Sequence, residues 1–159
     1  MKTTLTFLTL ALLAFWLADC STATKPVASA TPPVPDPIAT ARARQSGPLR
    51  AQIAGRENSR ADSVFQNIER LNGVTAGRLL DIMDIWGSVL GVGCEHCHVP
   101  NEWASEAKPE KEITRQMMTL TSQINENLNK IQALEGAQAS VSCYTCHRGN
   151  KRPATRPKE

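Results

Sequence analysis

Apolar residues recur every three or four positions through most of the chain, and no useful stretch alternates apolar with polar. That period predicts helices and few or no strands, an all-α chain. Asn58 or Ser59 can cap a first helix with apolar positions Val64, Phe65, Ile68 and Leu71; Asn72-Gly73 ends it. A second helix is expected from Thr75 or Ala76 to Leu90, carrying Leu79, Ile82, Met83, Trp86 and Leu90, with Gly91 and Gly93 closing it. The third has the clearest stripe: Ile113, Met117, Leu120, Ile124, Leu128, Ile131 and Leu134. Pro109 suits its first turn, Glu110 and Glu112 suit its positive end, and Gly136 can stop it.

The N-terminus follows another pattern. Met1-Lys2 precedes an apolar run over residues 5–18, too short for a comfortable membrane span and of the length of a signal-peptide core. It ends Leu17-Ala18-Asp19-Cys20, similar to a bacterial lipobox except for Asp19, where a small residue is usual. On that reading residues 1–19 are removed and Cys20 is lipidated; a conventional cut after Ala23 is the alternative. Both export the chain. Residues 20–57 are rich in Pro, Ala, Thr and Ser, with four prolines between 32 and 37, and read as a disordered tether. The folded domain is then 58–150, and 151–159 is a basic tail.

Chemistry enters with the cysteines. The chain has five, and four fall in two copies of one pattern: Cys94-Glu95-His96-Cys97-His98 and Cys143-Tyr144-Thr145-Cys146-His147. Cys-x-x-Cys-His is the attachment signature of a c-type haem. Cysteines three apart lie on one face of a helical turn, so both sulfurs reach the vinyl groups of one porphyrin. The histidine that follows comes under the iron as its proximal ligand. A four-thiolate zinc site made from Cys94, Cys97, Cys143 and Cys146 leaves both histidines unexplained. A redox dithiol wants a βαβ context that this chain lacks. Two covalent haems would also staple a domain too small for a large core, and their flat apolar bodies fit an aromatic content of only 4%.

Few residues can take the sixth position on each iron. Of three histidines, His98 and His147 are proximal; of four methionines, Met1 leaves with the signal. Met83 lies eleven residues before Cys94 on the face of Leu79, Trp86 and Leu90, and is read as the first distal ligand. Met117 lies on the apolar stripe, whereas Met118 accompanies Thr114, Thr121 and Asn125, so Met117 is preferred for the second haem. His96 projects from the motif turn and is better read as a surface or propionate-contacting residue. A His–Met pair raises the potential and leaves no open position on the iron.

Residues 64–156 resemble the cytochrome subunit of bacterial photosynthetic reaction centres, and more closely its small dihaem relatives. The matching runs are Gly93-Cys94-Glu95-His96-Cys97-His98, Ala104-Ser105-Glu106-Ala107-Lys108, Arg115-Gln116-Met117-Met118, Ile124-Asn125 and Cys143-Tyr144-Thr145-Cys146-His147-Arg148-Gly149. The resemblance implies electron transfer by His–Met haems in a mostly helical, exported and often lipid-anchored protein. It places the first distal methionine on Met83. In the four-haem subunits the last haem takes its distal histidine from a half absent here, which makes Met117 the natural substitute. With two motifs rather than four, docking to a reaction centre is not implied.

The expectation is therefore an exported dihaem c-type cytochrome, an electron carrier and not an enzyme. It would relay single electrons between redox proteins, a membrane photosynthetic or respiratory complex among them, while anchored through Cys20 on the periplasmic side. Removing residues 1–19 leaves 17 basic side chains against 14 acidic, still +3, and haem propionates bring the holoprotein near neutrality. Arg148, Lys151, Arg152, Arg156 and Lys158 form a local basic patch able to steer an acidic partner. An exported chain has no business with nucleic acid. The rivals are a dihaem peroxidase, which needs an open iron, and a haem-based sensor, for which no signalling domain is attached.

Overall fold

The computed structural model describes residues 36–157; the signal segment, Cys20 and the tether up to residue 35 lie outside them. Five α-helices follow in order: α1 Pro37–Gln52, α2 Ala61–Val64, α3 Ala76–Leu90, α4 Pro109–Leu128 and α5 Cys143–His147. Single 3-10 turns cover Cys94–His96 and Gln132–Leu134. Among the described residues, extended pairing is limited to two isolated bridges, Arg60 with Thr75 and Val99 with Glu102. The all-α expectation holds.

The hub is α3, against which α1, α2 and α5 pack. Its bounds are those the sequence predicts. Thr75 accepts the amide of Arg78 at the start, and Gly91 ends the helix in the left-handed region (φ 66°). The buried apolar set is small: Ile53, Ala61, Ala76, Leu79, Leu80 and Val89, with Leu49, Val64 and Phe65 packed around its centre.

Three expectations need correction. The stretch 37–52, read as part of a tether, is helical and docked on α3. Asp36 caps it by accepting the Ile38 amide at 2.9 Å, and Pro37 fits the first turn, where its missing N–H costs nothing. Just past its end, Ile53 is 1% exposed, worth roughly 1.5–3 kcal/mol of burial, so the domain begins before residue 58. The first predicted helix shrinks to α2, because Phe65 is already extended and the backbone here is committed elsewhere. Ala61 N–H donates to Val74 and Ala76 N–H to Ser59, both at 2.8 Å, which closes residues 61–75 into a loop. Finally, α4 stops at Leu128 rather than near Gly136. Asn125 is bonded to both backbone groups of Val141 (3.0 and 2.8 Å), so the chain must turn back before Ile131 and Leu134 can extend the stripe.

None of the twenty residues of α4 is buried. A charged clamp ties the N-terminal half of α4 to the loops. Arg115 pairs with Glu69 (3.0 Å), Glu106 (2.7 Å) and Glu112 (3.2 Å), and Lys111 also meets Glu106 at 2.9 Å. Hydrogen bonds from Arg115 first, then Lys111 and Asn67, hold the Glu106 carboxyl well below the usual carboxylate range.

Two outcomes follow. At Gly91 an added β-carbon would sit 2.1 Å from the Gly149 carbonyl oxygen. With about 1–2 kcal/mol of left-handed strain added, Gly91→Ala should cost at least ~2 kcal/mol, read from urea unfolding. Because the folded-state pKa of Glu106 is lowered, its contribution is fully present above its ordinary 4.5 and fades as pH falls below that. Urea midpoints of wild type should therefore drop more steeply from pH 5 to pH 3 than those of Glu106→Gln; parallel curves would refute the clamp.

Candidate functional site

The C-terminal end of α3 brings both motifs to one region. Cys94 follows it after a three-residue turn, and Gly149, two residues past His147, donates its amide to the Val89 carbonyl at 2.7 Å. Gly91 permits that approach. The second motif is itself well formed: Ser142 and Thr145 make a reciprocal capping box at the start of α5, and Arg148 ends it in the left-handed region (φ 49°).

Beside the first motif lies a cleft of about 1390 Å³, its open mouth included. Much of that space is open solvent at the mouth, and the walls are mainly apolar. Cys94, Cys97, His98 and Met83 all line it. So do Phe65, Trp86 and Trp103, three of the four aromatic residues among the described ones. Met118 lines it as well, whereas Met117 does not. His96 sits half-buried in its 3-10 turn and is not part of the lining.

Both motif histidines are held in the same way. His98 Nδ1 lies 3.1 Å from the carbonyl oxygen of Trp103, and His147 Nδ1 lies 3.0 Å from that of Asn150. A carbonyl only accepts, so each Nδ1 carries the hydrogen and each Nε2 keeps a free lone pair. That is the tautomer and orientation of a metal-ligating imidazole. The Trp103 carbonyl is itself fixed, since Lys111 reaches it at 3.4 Å and the adjacent Ser105 carbonyl at 2.9 Å. Burial pushes the His98 pKa down, which keeps the ring neutral as a ligand must be.

The thiols point the same way. Burial, reinforced by Glu95 at Cys94 and by Glu110 at Cys97, pushes both up. Reactive or zinc-binding cysteines need the opposite, a stabilised thiolate. Nor do three or more Cys, His, Asp or Glu side chains converge anywhere among the described residues.

A second apolar surface lies on α4. Ile113 (55%), Met117 (39%), Leu120 (45%) and Ile124 (37%) are exposed along one stripe. Asn125 pins Val141 to this helix, two residues before Cys143 and about 12 Å along the axis from Met117 at 1.5 Å per residue. The stripe and the second motif are thus anchored to the same helix.

The sequence reading missed Arg42, which α1 carries into the cleft wall, where it is 6% exposed and bonded to Asp84 at 3.0 Å. The signal was present in Asp36-Pro37, a cap and first-turn pair, and in Leu49 and Ile53 at helical spacing. Nearby prolines obscured it.

Comparison with known proteins agrees with this geometry. The family model of the photosynthetic reaction centre cytochrome C subunit matches residues 25–156. The photosynthetic reaction center cytochrome c subunit of Rubrivivax gelatinosus is 32% identical over 112 residues, covering 69% of this chain and 29% of the relative. That of Thermochromatium tepidum is 35% identical over 97 residues, 59% of this chain and 23% of the relative. Cytochrome c-554 of Chloroflexus aurantiacus is 35% identical over 83 residues, 51% of this chain and 20% of the relative. The chain therefore spans less than a third of the length of these relatives. With its two Cys-x-x-Cys-His turns, its oriented imidazoles and a family match over most of its length, this chain belongs to the photosynthetic reaction-centre cytochrome c subunit family.

Proposed function

We propose that the chain is an exported c-type cytochrome that holds two haems covalently and passes single electrons between redox partners. The observation that carries this reading is the pair of imidazoles, each with Nδ1 on a backbone carbonyl and Nε2 free for iron. Cys94 and Cys97 would bond the first haem and His98 would ligate its iron, with Met83, on the wall of the same cleft, as the distal ligand. Cys143, Cys146 and His147 would do the same for the second. Met117 is its distal candidate, because it sits on the uncovered stripe of the helix to which that motif is pinned. A flat apolar group over that stripe would cover side chains that the polypeptide leaves in water.

Each haem supplies a one-electron couple of its iron. The chain's own residues would hold the group in place, and burial keeps His98 neutral. Met118 faces the first cleft and is read as packing rather than ligation, since Met83 already serves there. Relatives named for the photosynthetic reaction center support a redox partner at a membrane, and Cys20 would supply the lipid anchor on the periplasmic side.

Protein matured in a host that attaches haem c should show a mass increased by two haem groups. Met83→Leu and Met117→Leu should each lower the potential of one haem and let carbon monoxide bind one iron. Met118→Leu should do neither. Redox titration with optical spectra checks all three, and a carbon monoxide complex in wild type would point instead to an open iron and an enzyme.

A further inference from the structure

Arg42 is the one charged side chain buried among the described residues, 6% exposed, and it sits in the wall of the cleft beside Cys94. A guanidinium has five N–H donors in a planar fork. Nε donates to Asp84 Oδ1 at 3.0 Å, but Nη1 is buried with no partner. Asp84 meets the fork through Nε alone and keeps 49% of its own side chain in water. A buried N–H donor without a partner is unfavourable, so an acceptor is owed at Nη1.

The fold makes a place for this side chain. A β-carbon at Gly87, one turn on from Asp84, would stand 2.6 Å from Arg42 Cδ, so the stem of this side chain lies close against the backbone there and a larger residue would push it aside. Gln45, one turn along α1, donates to Glu95 at 3.2 Å and has its own Oε1 buried without a partner. Asp84 and Glu95 are the carboxylates around this corner, and Arg42 is the cation among them.

We propose that Arg42 holds a carboxylate of the haem bound at Cys94, Cys97 and His98, and so sets that haem's potential. The inference rests on the haem reading of the first motif. A fork with an unpaired arm matches a carboxylate, and haem carries its carboxylates as propionates. A fixed positive charge beside the iron favours the ferrous form, which carries one positive charge fewer than the ferric. Removing it lowers the potential; removing the negative Asp84 raises it. Arg42 is in this sense a positioning and potential-setting residue.

The test is optical redox titration between pH 5 and pH 8 of the full haem-loaded chain, as wild type, Arg42→Gln, Arg42→Lys and Asp84→Asn. In Arg42→Gln the reduced-to-oxidised ratio of one haem at fixed potential should fall at least tenfold, about 59 mV for a one-electron couple. That potential should also become pH-dependent, because a carboxylate without its guanidinium takes up a proton as the iron is reduced. Arg42→Lys should lie nearer wild type, and Asp84→Asn should shift the same haem the other way. Unchanged potentials in Arg42→Gln with both haems bound overturn the proposal, and a lowered potential that stays flat with pH overturns the carboxylate assignment. If Arg42→Gln does not fold, the absence of an upward shift in Asp84→Asn overturns it instead. A wild-type chain whose mass lacks haem sinks the reading of the motif itself, and Arg42's role with it.

Discussion

The close passage of two backbones at Gly91 and Gly149 governs how this molecule is put together. A helix that ends in a left-handed glycine turns within three residues into Cys94, and with no side chain at Gly91 the segment leaving the second motif lies against it. The 2.7 Å bond from Gly149 to Val89 then fixes the register. Both Cys-x-x-Cys-His turns consequently hang from one helix end. That proximity is set by backbone sterics.

Polar groups then do the orienting. Lys111 fixes the loop whose Trp103 carbonyl turns His98, and Glu106 joins Lys111 and Arg115 so that α4 is held at its N-terminal half. Asn125 does the corresponding job farther along by catching Val141. These contacts grip α4 at its charged and amide residues while its apolar stripe faces outward. A helix with a strong stripe and no buried residue is an incomplete arrangement for a polypeptide alone. A flat apolar group laid over the stripe, as proposed above, would complete it.

Much of this was legible before any coordinates. The two pentapeptides announce their chemistry through spacing alone, because three-residue separation on a helical turn is a local fact. The bounds of α3 follow from Thr75 and Gly91, a cap and a left-handed stop, again local. That Met83 lines the cleft was legible for the same reason: it shares a helical face with Leu79, Trp86 and Leu90, and all four line the cleft. Where reading failed, the deciding contacts were distant in sequence. Phe65 and Ile68 have helical spacing, yet bonds from Ser59 and Ala61 to residues near 75 bend the chain away. Ile131 and Leu134 continue a stripe that Asn125 cuts short.

The sequence by itself determined the elements of local origin: the motif turns, the hub helix and its capped ends. Tertiary structure alone decided that Pro37–Gln52 is a docked helix, that Met118 rather than Met117 faces the first cleft, and that Arg42 is buried beside it. The physical reason is common to all three. Helical periodicity tells which residues share a face, but which face meets the protein depends on partners thirty or more residues away. A guanidinium's worth is set by what lies around it, and no local pattern records that Arg42 lies close against Gly87.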